Sequence, residues 1–442
     1  MKKILMITFY FPPASTAAIF RILRFTKYLP ALGFEPDILT VKKKYYDKKI
    51  SFDYTIKVPN NINVYRSNMI GWIINCFRIK SCKNKISDQQ TIKSKNKKKN
   101  SFKTFQQLVK AIFFLPDSQV WWVPIAILKA LRINCKKKYD VIYTTGAPFS
   151  THLIGMCLKG ILKKPWIADF RDPWVSNPII KWKFKSIKNI IKKMEQKVLE
   201  NADAIVTTTE ALVDDFKKRY PDISPEKYHV ITNGYDSEDF KNIDIVNYEK
   251  FTIVYTGVLY SFHSLTPFLI ALNKLFELRK EIRNHIQVVI IGPFNSEHVN
   301  EVGKNNLNDV VFLKGLMPHN ETIKYIIAAH LLLVTLTTDE DKSLFIPGKI
   351  FEYLGSGRPI LSISPEGELA DIVRRNSAGI VIAPKNIRGI SEAISLFYDE
   401  YLIGNYKGRD KGSIEIYDAK NLTNMLSKVI NDIIQKKDEI RV

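Results

Sequence analysis

Short runs of branched apolar residues recur along this chain, each followed by a stretch with helical spacing. In the first half the runs fall at Ile4–Phe9, Pro36–Val41, Val141–Thr144, Trp166–Asp169 and Ala204–Thr207, with helices expected from about Ala17 to Leu32 and over His152–Leu162 and Ile187–Asn201. In the second half they fall at Thr252–Tyr255, Gln287–Ile291, Val310–Leu313, Leu331–Thr335, Ile360–Ile363 and Ile380–Ile382, with helices over Thr266–Arg279 and Glu321–Ala329. Strands that are apolar throughout are covered on both faces, and strand–helix alternation makes their sheet parallel. The pattern predicts an α/β chain with two tandem parallel-sheet domains facing across a cleft. A length of 442 residues agrees with two domains. The polar, turn-forming stretch NGYDSEDF at 233–240 marks the expected boundary. Residues 1–240 then form the first domain and 241–418 the second, with a terminal helix in 419–442 free to pack back on the first. Residues 67–117 break the rhythm and read as a basic insertion.

Hydrophobic residues make up 45% of the chain and aromatics 12%, enough for two cores. Cys76, Cys82, Cys135 and Cys157 are scattered, with no C-x-x-C pair and no His at ligand spacing, which argues against a zinc site or a disulfide framework and for a reducing compartment. The start, MKKILMITFYFPP, has the basic residues and apolar run of a leader, but Pro12 and Pro13 end the run and it reads as a first strand. No apolar run approaches the roughly 18 residues that a membrane span needs.

Charge is distributed unevenly. Residues 1–200 hold 39 Lys+Arg against 11 Asp+Glu, and residues 201–442 hold 28 against 33. Nucleic acid, a solvated Lys-rich surface and an anionic membrane are the three readings of the basic half. Only six of its cations are Arg, the residue that phosphate forks and base readout favour, which argues against nucleic acid. Trp72, Phe77, Phe105 and Phe113 beside the Lys tract at 83–103 are suited to shallow insertion at a membrane face. The stripe Phe184, Ile187, Ile191, Met194 and Val198 reads as domain core instead.

In parallel sheets ligands bind beyond the carboxyl ends of the strands, so the loops there hold the candidate site. FYFPPASTAAIFR follows the first strand and offers helix N-terminal amides, with Arg21 one turn in. ADFRDPW clusters Asp169, Arg171 and Asp172 at a strand end; Arg171 either pairs an adjacent Asp or faces a ligand. YTTGAPFSTH places His152 after another strand. In the second half Gly257 permits close backbone approach of a phosphate. Asp339, Glu340 and Asp341 spell D-x-D, a manganese signature elsewhere, and read here as an exposed acidic loop. FIPGKIFEYLGSGRPIL, residues 345–361, reads as loop, short helix, glycine stop and strand. Lys349 and Glu352 share one helical face there, open to an intrahelical ion pair or to a ligand's diphosphate and ribose hydroxyls.

The residues YFPP…R, ADFRDPW, ADAIVTTTEAL, ITNGYD, YTG and PGKIFEYLGSGRPIL…PEGELADIV…AGIVI span nearly the whole chain. Together they resemble the family-4 glycosyltransferases of bacterial surface polysaccharide assembly. The resemblance implies the GT-B fold, two tandem Rossmann-like domains. It implies a retaining, metal-free transfer from a UDP- or GDP-type sugar in the second domain to a glycan or polyprenyl-diphosphate-linked acceptor in the first. Such an enzyme would be cytoplasmic, peripheral on the inner face of the cytoplasmic membrane. On that resemblance Glu352 holds the ribose, and the backbone of Ile346, Pro347 and Gly348 meets the donor sugar. The family's first glutamate would fall on Leu344, and its Arg and Lys after the first strand of the second domain are missing, so Lys349 or Arg358 stands in at the diphosphate. Arg21 and Arg171 lie on the acceptor side, and His152 and Asp169 are candidates near the reacting centre. A nucleotide-sugar epimerase and a non-catalytic sugar-nucleotide-binding scaffold are the alternatives.

Overall fold

The computed structural model describes the chain except residues 48–49, 72–106, 109–110, 178–179, 181, 183, 245, 260–263, 338–343, 345, 405–410 and 440–442. The Lys tract, Trp72, Phe77, Phe105 and the D-x-D residues lie outside the described part. The chain divides into two compact units, Met1–Ile231 with Asn424–Val442, and Thr232–Thr423.

In the first unit β1 (Lys2–Ile7), β2 (Phe34–Val41), β3 (Val64–Ser67), β4 (Val141–Gly146), β5 (Trp166–Phe170), β6 (Ala204–Thr207) and β7 (Tyr228–Val230) form one sheet in the order β3-β2-β1-β4-β5-β6-β7. All its pairings are parallel, for example Ile4 with Val141 and Thr145 with Asp169. Helices α1 (Ala18–Tyr28), α2 (Val123–Lys137), α3 (Ser150–Leu162), α4 (Lys185–Asn201) and α5 (Glu210–Arg219) link these strands. Strands β2 and β3 lie on one side of β1, and β4 onward on the other, so the topological switch falls between β1 and β4. The stripe on α4 is core: Ile187, Ile191 and Val198 are buried, with Phe184 and Met194 packed against them.

The second unit repeats the plan. Strands β8 (Phe251–Thr256), β9 (Ile286–Ile291), β10 (Val311–Gly315), β11 (Leu331–Thr335), β12 (Ile360–Ile363) and β13 (Gly379–Ile382) run in the order β10-β9-β8-β11-β12-β13, all parallel, with the switch between β8 and β11. Helices α6 (Thr266–Leu278), α7 (Ser296–Lys304), α8 (His319–Ala328), α9 (Lys349–Ser356), α10 (Glu368–Arg375) and α11 (Ile387–Leu402) connect them.

The junction falls at 231/232 rather than near 240, and the reason is Tyr235. Its amide donates to Tyr417 O at 3.1 Å, and its carbonyl accepts from Ala419 N at 2.8 Å. Its ring packs in the second core, close against Gly355. The terminal helix α12 (Ala419–Glu439) enters the first unit at Asn424, where Lys2 Nζ donates to Asn431 Oδ1 at 3.0 Å and Lys437 reaches the carbonyl of Lys163. Among the described residues no helix is long and apolar enough to cross a membrane.

Gly155 shows how tightly α3 lies on the sheet. A Cβ there would stand 2.3 Å from Trp166 Nε1 and 2.7 Å from Thr144 Cγ2. Both neighbours are themselves fixed, because Trp166 Nε1 donates to Thr144 Oγ1 at 2.9 Å. Gly155→Ala should therefore destabilise by about 1–3 kcal/mol through overpacking, read as a lower unfolding midpoint. A midpoint equal to or above wild type would contradict this packing.

Candidate functional site

The carboxyl edge of the first sheet is organised around Asp169, which has no exposed surface. It accepts four hydrogen bonds: from Arg21 Nε at 3.0 Å and Nη2 at 2.9 Å, from Tyr143 Oη at 2.6 Å and from Thr145 Oγ1 at 2.9 Å. Burial pushes the Asp169 carboxyl up, but the charge and hydrogen bonds of Arg21 outweigh it and hold its pKa below the ordinary value. Tyr143 is driven well above its usual pKa by burial and by the Asp169 charge. The expected acceptor-side Arg21 and the expected reacting-centre Asp169 are thus each other's partners, 148 residues apart.

His152 is also fully buried. Its Nδ1 lies 2.9 Å from Thr144 Oγ1, its Nε2 has no hydrogen-bond partner among the described residues, and burial drives its pKa down to about 3. It is a neutral ring tilted against Phe170, at 4.5 Å between centroids. The two residues expected near a reacting centre, His152 and Asp169, are both fully buried. Asp169 lies at the end of β5 and His152 in the first turn of α3, both beneath the loops of this edge. Arg171 pairs with no neighbouring Asp; it donates from Nε to Gly146 O at 2.8 Å and from Nη2 to Ala147 O at 2.6 Å. Burial raises the pKa of the adjacent Asp172, with the Arg171 charge opposing it.

The second edge is built differently. Tyr353, buried on α9, accepts from Thr256 N at 2.8 Å, and Ile350, Phe351 and Leu354 fill the core beside it. This anchoring fixes α9 against the end of β8 and sets Lys349 beside Gly257. Lys349 Nζ stands 3.7 Å from the centre of the Tyr255 ring, has no hydrogen-bond partner among the described residues, and is pulled down to a pKa of about 7 by burial. Gly257 has φ +107°, and a Cβ there would lie 3.1 Å from Lys349 Cε and Nζ, so only glycine leaves this space open.

Glu352, one helical turn on, forms no ion pair with Lys349. Its Oε1 lies 2.9 Å from Nε2 of His319, the first residue of α8, and both side chains are partly buried. A proton on Nε2 makes His319 the donor. Pro347 O and Gly348 O accept from Ile350 N at 3.0 Å and Phe351 N at 3.3 Å to open α9, while Ile346 packs partly buried on the core. Arg358 stands apart. It follows Gly357 at the far end of α9, roughly 12 Å away for eight residues, and donates from Nε to Ile327 O at 2.6 Å. Gly257, Ile346, Pro347, Gly348, Lys349 and Glu352 are thus brought together at the carboxyl edge, and Arg358 lies at the amino edge. Sequence reasoning missed His319 and Tyr255; the Tyr of the YTG motif at a strand end was the available signal for the second.

Residues 94–239 match the Glycosyltransferase Family 4 model, and residues 250–400 match the Glycosyl transferases group 1 model. Together with the two parallel sheets, these matches make the chain a family-4 glycosyltransferase of the GT-B fold. Among curated proteins no significant sequence match is found. Solved structures share the fold at low identity. Sucrose-phosphate synthase from Thermosynechococcus elongatus superposes with a TM-score of 0.68 at 14% identity, over 99% of this chain and 100% of that one. Anabaena HepE, solved with UDP and glucose, gives 0.62 at 12% identity, over 98% and 100%. WaaG, a glycosyltransferase involved in lipopolysaccharide biosynthesis, gives 0.60 at 12% identity, over 97% and 99%.

Two outcomes follow from these electrostatics. Asp169→Asn leaves the Arg21 charge buried without its counter-ion and should cost about 3–5 kcal/mol. Because the folded Asp169 pKa is depressed, the wild-type gain is present above the unfolded carboxylate value and is lost as pH falls below it. Equal stability of wild type and Asp169→Asn at pH 7, by thermal melting, would contradict the pairing. For Lys349 the sign is opposite. The folded amine is depressed to about 7, so the burial cost is complete below pH 7 and is relieved as pH rises toward the unfolded lysine value. Lys349→Met should raise the melting temperature at pH 6 and have a smaller effect at pH 9; a pH-independent difference would show the amine to be solvated.

Proposed function

We propose that this glycosyltransferase moves a sugar, with retention, from a UDP- or GDP-type donor held by the second unit. The acceptor is a glycan or a polyprenyl-diphosphate-linked glycan taken by the first unit during cell-surface polysaccharide assembly at the inner face of the cytoplasmic membrane. The observation that carries the donor side is the buried Lys349 Nζ beside Gly257, over the Tyr255 ring and without a hydrogen-bond partner among the described residues, with the Glu352 carboxylate one turn along the same helix. A cation held without a counter-ion in a dry position is poised for an anion, and a partly buried carboxylate is an acceptor for vicinal hydroxyls. A nucleoside diphosphate supplies both. Support for a UDP-type donor comes from HepE, whose structure holds UDP and glucose, and support for the polysaccharide setting from WaaG.

In the proposed reaction the bond from the anomeric carbon to the diphosphate breaks through an oxocarbenium-like state, and the acceptor hydroxyl bonds to that carbon on the same face, passing its proton to the departing diphosphate oxygen. Charge grows on the departing diphosphate, and Lys349 with the amides opening α9 stabilises it. His152 and Asp169 hold the strand ends that shape the first edge. No resident cofactor or metal is assigned a role.

Glu352→Ala should raise the donor KM about tenfold or more while leaving the melting temperature near wild type, since the side chain is only partly buried. Turnover measured with and without a lipid-linked acceptor separates transfer from epimerisation or mere binding, and it should persist in EDTA. Unchanged donor kinetics in Glu352→Ala would remove the ribose assignment, and loss of turnover in EDTA would reverse the metal-free reading.

A further inference from the structure

A column of aromatic rings climbs out of the first core at its carboxyl edge. Phe9 is buried against Tyr10 at 5.2 Å between centroids, Tyr10 meets Tyr46 at 5.7 Å, Tyr46 meets Phe52 at 6.2 Å, and Phe52 meets Tyr54 at 6.4 Å. The last two rings reach solvent, Phe52 at 43% and Tyr54 at 71% exposure. They belong to the loop between β2 and β3, which is braced around residues 51–53. Phe52 bridges Ala14, Ser15 N donates to Ser51 O at 2.8 Å, and Asp53 N donates to Pro13 O at 2.8 Å. Two exposed aromatic rings held out on a braced loop contribute nothing to the core.

The charges around them are mostly positive, with Asp47 the one exposed acid among the described residues of 42–57. Residues 42–57 contain six Lys and two Asp. Lys42, Lys43, Lys44 and Lys57 are exposed, whereas Asp53 is turned inward to take hydrogen bonds from Thr55 N at 2.9 Å and Thr55 Oγ1 at 2.6 Å. Lys43 Nζ lies 5.8 Å from the Tyr54 ring centre, and Lys44 Nζ lies 5.1 Å from that of Tyr45. The apolar Phe52 ring and the amphipathic Tyr54 phenol, ringed by lysines, match the layered chemistry of an anionic bilayer surface: phosphate outside, acyl chains beneath.

We propose that the β2–β3 loop docks the first unit on an anionic phospholipid bilayer, with Phe52 and Tyr54 entering the headgroup layer and Lys42, Lys43, Lys44 and Lys57 meeting lipid phosphates. The α4 stripe is excluded as the inserting element because it is spent in the core. The loop emerges from the same sheet edge as the residue 10–13 turn, so docking there places the acceptor edge at the membrane. This rests on the reading of the first unit as the half that takes a lipid-linked acceptor, and it names the surface that reaches it.

Flotation of the full chain with phosphatidylcholine vesicles, with and without phosphatidylglycerol, tests it. Wild type should float with the phosphatidylglycerol vesicles alone and be released by high salt. Phe52→Ser with Tyr54→Ser, and separately Lys42→Gln with Lys43→Gln and Lys44→Gln, should each reduce bound protein at least tenfold. These side chains are exposed, so the variants keep their fold. Ile161→Ser, another exposed apolar position of this unit at the opposite end of α3, should float like wild type, and all variants should turn over a water-soluble acceptor normally. Flotation unchanged by the loop substitutions, or absent in wild type, overturns the proposal. So does a loop variant that still floats but fails on a soluble glycan, which would make the column a sugar platform. Failure of the donor assignment appears in the Glu352→Ala kinetics and leaves flotation unaffected, so the two failures are distinguishable.

Discussion

A strand buried on both faces can offer a polar group to a ligand only at its end, and this constraint shapes everything else in the chain. Both sheets are parallel throughout, with apolar strands under helices, so their chemistry is pushed to the carboxyl edges. At each edge the polar side chains have two possible fates. They satisfy one another, or they remain available for something the chain does not supply.

The first edge has taken the former course around β5. Asp169 collects four donors, Arg21 is locked to it from α1, and Arg171 is tied to two backbone carbonyls. Breaking such a buried pair is costly because the remaining charge has no solvent, so these residues fix the geometry of the loops. The second edge has taken the latter course around α9. Lys349 rests over an aromatic face without a hydrogen-bond acceptor among the described residues, and burial brings its amine toward neutrality. An incoming diphosphate would restore the missing counter-charge. The same helix turn carries Glu352, oriented by His319 from the neighbouring α8.

The sheets were legible because their strands are apolar throughout: Ala204–Thr207, Leu331–Thr335 and Ile360–Ile363 end where the apolar runs end. The edge strands Val64–Ser67 and Tyr228–Val230 escaped notice because they are half-exposed and carry Tyr65, Arg66 and His229 in place of a run. Gly257, Lys349 and Glu352 were readable from local spacing, since a glycine after a strand and a helix N-terminus are short-range signals. The partner His319 was not, because it arrives on α8 and periodicity carries no information about which elements become neighbours; Tyr255, two residues before Gly257, was signalled only by the YTG motif. Arg21 and Asp169 were each visible as polar groups at strand or helix ends. Their pairing across 148 residues depends on β1 and β5 flanking β4, a matter of topology rather than pattern. Arg358 shows the converse. Proximity in sequence suggested a shared role with Lys349, but an eight-residue helix carries it to the other edge of the sheet.

The account stands on the second edge being the seat of the nucleotide. The most direct measurement is a crystal structure with a nucleoside diphosphate sugar bound. It should show ribose hydroxyls donating to the Glu352 carboxylate and a diphosphate oxygen within hydrogen-bond distance of Lys349 Nζ, beside Gly257. A nucleotide seated away from the start of α9, with Lys349 still over Tyr255 and touching no phosphate, would contradict it.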